Sequence, residues 1–174
     1  PNHINFKNAD GTSRVGMVAH VTVNEHATSA DDLIRTKFYD RSTVQNFTTD
    51  SKTSYHGTHT MGIMAGGYNG DSQVVVERPG GVAEVVTQAN PYYGVAYGSD
   101  VAVAACGTLI DEVIAYGVDF LIQYAQETKQ PYVINISIGS NSGSHDARST
   151  ICRFFDYCAS EANAIICLSA GNEG

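Results

Sequence analysis

No run of lysine and arginine occurs in the 174-residue chain, nor does any apolar stretch of the roughly 20 residues that a membrane helix needs. The first absence, with a net charge of -8, opposes binding to nucleic acid or an anionic membrane surface. The second leaves no candidate membrane span in these residues. Cysteine is scarce: Cys106, Cys152, Cys158 and Cys167 form no C-x-x-C pair and no metal-ligand spacing, so zinc is not expected and no metal ligand is assigned. Cys152 and Cys158 lie on a predicted helix, where a rise of about 1.5 Å per residue separates them by about 9 Å. That exceeds the roughly 7 Å limit for a bridge. Cys106 and Cys167 end apolar strands and read as small buried packing groups, with a 106–167 disulfide left open. Charged residues make up only 16% and hydrophobic ones 43%, a globular composition at the length of one domain.

What is present is an alternation of strand and helix patterns. Arg14 to Val23 is valine-rich and alternating, the pattern of a strand. The spacing of Leu33, Ile34, Lys37 and Phe38 predicts a short helix over Asp31 to Tyr39, followed by a polar loop to Ser54. A helix capped by Thr53 or Ser54 is expected to run to about Ala65 and to end at Gly66 and Gly67. Two valine runs flank Arg78-Pro79-Gly80-Gly81 and predict a β-hairpin inserted at about 68–90. Strands follow over Asp100 to Cys106, Tyr132 to Ser137 and Ala164 to Ser169. Between them lie helices over Leu109 to Gln126, with a capping box at Thr108 and Asp111, and over Ala147 to Glu161, started by Ser144 to Asp146. Continuous apolar strands between amphipathic helices predict an α/β fold with a three-layer arrangement, a parallel sheet covered by helices on both faces. In such sheets ligands sit beyond the carboxyl ends of the strands. Ser137-Ile138-Gly139 and Gly171-Asn172 both fall there.

Several residues invite chemical roles. A general base needs a pKa near working pH and reach to the nucleophile's proton, and His56 at a helix start fits, with Gly57 leaving room for a backbone beside the ring. An isolated histidine would more simply be a cap or a core-edge residue. His59 shares a helix face with His56, but zinc protease helices space their histidines at i and i+4 beside a glutamate, and position 57 is glycine. His145-Asp146 is better read as a helix start than as a base and its orienter. Asn69 and Asp71 have no recognisable calcium-ligand spacing. Asn172 ends a strand, where its amide can point at a developing oxyanion.

Two longer stretches carry a family resemblance. His56-Gly57-Thr58-His59-Thr60-Met61-Gly62-Ile63-Met64-Ala65-Gly66 resembles the histidine motif of the subtilisin-like serine proteases, and AIICLSAGNEG over 164–174 resembles their oxyanion-hole segment. Pro1 to Phe6 looks like the tail of the family's aspartate motif, and Gly94-Val95-Ala96 like its Gly-Val-Ala. The resemblance implies a partial catalytic domain over 1–174 of a serine endopeptidase acting on protein or peptide substrates. His56 is then the base and Asn172 the oxyanion donor. Ser137, Ile138 and Gly139, from the stretch YVINISIG, form one wall of the specificity pocket, and Ser169, Ala170 and Gly171 the other. The family order is aspartate, histidine, serine, so the aspartate is expected just before residue 1 and the serine beyond residue 174. The piece by itself is then expected to be inactive and to self-associate through uncovered surfaces. The resemblance also implies export and allows calcium sites in the whole protein. It leaves a rival in which a subtilase-like domain binds peptides without cutting them.

Overall fold

The structure is a computed structural model that describes every residue except Asp50, Lys52, Asn69, Asn141, Ser142, Glu173 and Gly174. Its centre is β1 (Val15–Val23), a strand rich in valine in which no residue is exposed. β-Branched side chains suit a strand covered on both faces, because their stiff rotamers pack well on a pleated surface. β1 pairs in parallel with β5 (Val101–Cys106) and antiparallel with β2 (Ile34–Asp40), giving the order β2-β1-β5. A register shift interrupts the β1–β5 pairing between Val15 and Met17. Gly16 lies at that shift, and a Cβ there would stand 2.1 Å from the Tyr124 hydroxyl. Only glycine lets that ring close over the strand.

The helix expected over 31–39 is instead a single 3-10 turn, Ala30–Asp32, followed by β2. Tertiary pairing overrides the local spacing: β1 offers a full strand edge, and the chain fills it. Asn24 shapes the return, its backbone N–H donating to Leu33 O at 2.7 Å and its side chain to Asp32 O at 3.0 Å. Phe38 then turns toward the following helix and meets Phe120 edge-on at 4.8 Å, while Tyr39 meets Phe47 on the other face at 5.5 Å.

α1 (His56–Ala65) starts without a side-chain cap: Tyr55 occupies the cap position, and Ser54 Oγ reaches only the His56 N–H, at 3.4 Å. β3 (Asp71–Arg78) and β4 (Val82–Ala89) form the expected hairpin, a two-stranded sheet of its own with Val74 opposite Val86. α2 (Asp111–Thr128) is also uncapped by a side chain, with Ile110 at the cap position in place of the expected Thr108–Asp111 box. It packs Val113 against β1 and buries Val118 and Ile122 among β6 residues.

β6 (Val133–Ile136) and β7 (Ile165–Leu168) are parallel and joined through α3 (Thr150–Glu161). Ser149 caps α3 by accepting from the Cys152 N–H, so the helix starts later than the expected Ser144 to Asp146. The reason is local: His145 and Ala147 have φ of 53° and 60°, values that a right-handed helix does not admit. Asp146 serves the turn instead, accepting from Ser144 Oγ and the Arg148 N–H, and these bonds hold its carboxyl below the usual range. The parallel strands are thus divided between two sheets, since β5 and β6 are not paired with each other among the described residues. No helix among those residues is long and apolar enough to cross a membrane.

None of the four cysteines is joined in a disulfide among the described residues. Cys106 is half-buried, whereas Cys167 is exposed, contrary to the buried packing role expected for it. The register places Cys167 opposite Asn135. That puts it on the same face of β6–β7 as the exposed Val133 and Ile165, where apolar side chains stand uncovered. Cys158 is the buried thiol, and burial, with a smaller contribution from the nearby Asp119 carboxylate, pushes its pKa up. Because the thiolate is the reactive form, alkylation by iodoacetamide at about pH 8 is expected to modify Cys167 first and Cys158 only on unfolding. Timed labelling read by mass spectrometry checks this, and equal rates at the two positions would contradict it.

Candidate active site

The histidine arrives on a helix whose opposite end is tied down. Arg14 is buried, yet among the described residues its guanidinium meets only main-chain oxygens: Nη1 donates to Ala65 O at 2.9 Å and to Asn5 O at 3.4 Å, and Nη2 to Ser99 O at 2.6 Å. A cation suits the last turn of a helix, where unpaired carbonyls carry partial negative charge. The Gly94-Val95-Ala96 segment completes the arrangement. Its N–H groups donate to Gly66 O (2.7 Å), Ile63 O (3.1 Å) and Met64 O (2.8 Å), satisfying carbonyls that the helix end leaves orphaned. A Cβ at Gly94 would stand 2.5 Å from the Gly66 nitrogen, so the strap can lie there only as glycine.

The facing wall comes from the ends of β6 and β7. Ser169 N–H donates to Ile136 O at 3.1 Å and Ser169 Oγ to Ile138 O at 2.9 Å, while Asn135 Nδ2 donates to Ser137 Oγ at 2.8 Å. Gly171 has φ of +88°, and a Cβ on Gly139 would lie 3.4 Å from its Cα. The two strand ends therefore meet glycine against glycine.

Between helix and strand ends lies a cleft of about 300 Å³ lined by His56, Thr60, Ser137, Gly139, Ser169, Gly171 and Asn172. Six of the eight residues anticipated from sequence thus share one cleft, with residues 56 and 172 on it together. Ile138 and Ala170 do not line it. Ile138 packs on the β6–β7–α3 core, as its alternation with Ser137 and Gly139 requires, and Ala170 is exposed. Thr60 was missed, although it sits one turn after His56 and the i, i+4 spacing would have placed it on the same face. Its hydroxyl donates to Gly57 O at 3.1 Å.

None of the lining residues is acidic, and neither lining serine is bonded to the imidazole, since Ser169 donates its proton to a carbonyl and Ser137 Oγ accepts from Asn135. Ser13 Oγ accepts from the Val15 N–H at 3.0 Å at the start of β1, and Ser13 does not line the cleft. His145 and Asp146 do not line it either. His3 accepts from the Asn5 N–H at 3.2 Å and packs on Phe6, a framework position. His20 packs edge-on against Phe47. Among the described residues no group of three or more His, Cys, Asp or Glu is placed to hold a metal. Asn69, considered as a calcium ligand with Asp71, lies outside the described residues.

The model of the subtilase family, peptidase family S8, matches residues 1–174. Among solved structures, the CspB protease of Clostridium perfringens is similar, with a TM-score of 0.69 and 25% sequence identity over 99% of this chain and 34% of that one. The chain thus spans about a third of the length of that protease. No curated protein sequence matches.

The two glycines of the wall are not equivalent. Gly171→Ala forces a side chain into a left-handed conformation and is expected to cost about 1 to 2 kcal/mol. Gly139→Ala meets only an ordinary contact and should cost less while narrowing the cleft. Urea denaturation of the two variants checks the order, and a larger loss at position 139 would reverse the assignment of strain.

Proposed function

Because the chain belongs to the subtilase family of serine peptidases, we propose that it supplies the histidine and the oxyanion asparagine for hydrolysis of peptide bonds. The observation that carries this reading is the common cleft of His56 and Asn172, groups from a helix start and a strand end more than a hundred positions apart. A serine hydroxyl attacks the scissile carbonyl. His56 takes the hydroxyl proton and returns it to the leaving amine, and an aspartate orients the ring. As the carbonyl carbon becomes tetrahedral its oxygen gains charge, and the Asn172 amide is the donor placed to receive it. Neither lining serine is bonded to His56 and no aspartate is among the described cleft residues, and we assign the nucleophilic serine and the orienting aspartate to segments outside these 174 residues. Substrate in this reading is an extended peptide lying against Ser137 to Gly139, with a side chain directed between that wall and Ser169 to Gly171.

The same cleft without a nucleophile would hold peptides and leave them intact, and the lack of any serine bonded to His56 within the cleft gives that second reading its footing. The two are separated in a protein that carries this chain together with its remaining segments. Peptide hydrolysis and labelling by a fluorophosphonate are expected, both lost in His56→Ala, while the 174-residue chain by itself stays unlabelled. Asn172→Ala is expected to lower kcat by about 10²- to 10³-fold, the loss known for the oxyanion asparagine of subtilisin, a member of the same family. Peptide binding without hydrolysis or labelling would establish the second reading.

A further inference from the structure

The wall built from β6 and β7 carries a side-chain hydroxyl rung at its tip. Backbone pairing between the strands runs from Val133 opposite Ile165 to Ile136 opposite Leu168. Beyond it, Ser169 N–H donates to Ile136 O at 3.1 Å. Its side chain then makes one more rung, Oγ donating to Ile138 O at 2.9 Å. Main-chain groups of successive residues in an extended segment point to opposite edges, and those of alternate residues to the same one. With the Ile136 and Ile138 carbonyls both turned toward β7, the main-chain groups of Ser137 and Gly139 face the other edge. Neither has a backbone partner among the described residues.

We propose that Ser169 is a positioning residue: its hydroxyl fixes the peptide unit between Ile138 and Gly139 and so holds the free edge of Ser137 and Gly139 in register to pair with an extended substrate backbone. This rests on the peptide-cleft reading above. Two further contacts leave that peptide unit as the part needing the lock. Asn135 Nδ2 already secures the Ser137 side chain at 2.8 Å, and Gly139 faces Gly171 across the wall. Ile138 itself is anchored by its side chain in the core beneath. What remains to be fixed is rotation of the peptide plane, and a hydrogen bond to its carbonyl does that.

Ser169→Ala removes the donor at nearly constant volume, and Ser169→Thr retains it. In the 174-residue chain, the backbone order parameter of Gly139 is expected to fall from about 0.85 toward about 0.6 in Ser169→Ala and to stay high in Ser169→Thr. In the hydrolytically complete protein, Ser169→Ala is expected to raise KM about three- to tenfold for an extended peptide, the weight of one ordinary hydrogen bond, with the loss falling on KM rather than kcat. A single-residue amide substrate, too short to pair along the edge, should show no such change. An unchanged order parameter, or an equal rise in KM for short and extended substrates, overturns the proposal. A response of Gly139 in a protein that hydrolyses nothing would support the lock and refute the proteolytic reading.

Discussion

A buried positive charge with no carboxylate beside it among the described residues is the constraint on which the histidine's position depends. The two ion pairs found among the described residues lie elsewhere, at Arg41–Asp100 and Arg78–Glu84. Burying an unpaired guanidinium is costly. The arrangement stands because Arg14 is surrounded by carbonyl oxygens from the N-terminal segment, the end of α1 and the turn before β5. Each hydrogen bond involving a charged donor contributes about 1.5 to 3 kcal/mol, and the partial negative charge of the helix end adds to them. Gly67 belongs to the same constraint, since a Cβ there would come within 2.9 Å of Arg14 Nη1. Fixing α1 at Ala65 fixes its whole rigid length and hence the place where His56 enters the cleft.

The cleft is consequently a meeting of two cores. Ala65, with Met61 and Met64 packed alongside, joins α1 to the core of Phe6, Val15, Val18 and Val101. The opposite wall grows from a separate cluster of Ile134, Ile136, Cys158 and Ala164. α2 belongs to both halves, packing Val113 with the β1 side and Val118 and Ile122 with β6. Relative placement of His56 and Asn172 is therefore transmitted through α2. Its tight seating on β1, with Tyr124 over Gly16, and on β5, with Gly117 against Ala104, bears directly on the shape of the cleft.

Residues whose environment is local were readable from sequence. β1, the hairpin, α2 and the β6–α3–β7 unit have strong periodicity, and their types and approximate limits were anticipated. The segment 31–39 was misread because its apolar spacing fits a helix, while its actual conformation is imposed by a partner strand remote in sequence. Caps were misplaced at all three helices. A candidate Ser, Thr or Asp near a helix start says nothing about backbone angles two residues away, and at α3 the left-handed His145 and Ala147 decide the matter. The site was more legible than its surroundings, since His56 and Asn172 lie in long motifs that encode both a residue and its element. Arg14 could not be found that way: a lone arginine before a strand reads as surface, and its partners are backbone atoms that carry no sequence signature. The role of Gly94-Val95-Ala96 as a strap on α1 was hidden for the same reason.

The β3–β4 hairpin leaves and rejoins the body of the protein at almost one point. Asn90 N–H donates to Gly70 O at 2.9 Å, and its side chain donates to Tyr68 O at 3.0 Å, so the two stems are stapled at the root. An appendage gathered at its base imposes little on its host, because the chain-closure entropy changes only slowly with loop length. Variation in the length of this arm is thus separate from the lining of the cleft. The root at Gly70 and Asn90 is a natural grafting point, where an evolving lineage or an engineer can exchange the arm for another module while the cleft keeps its shape.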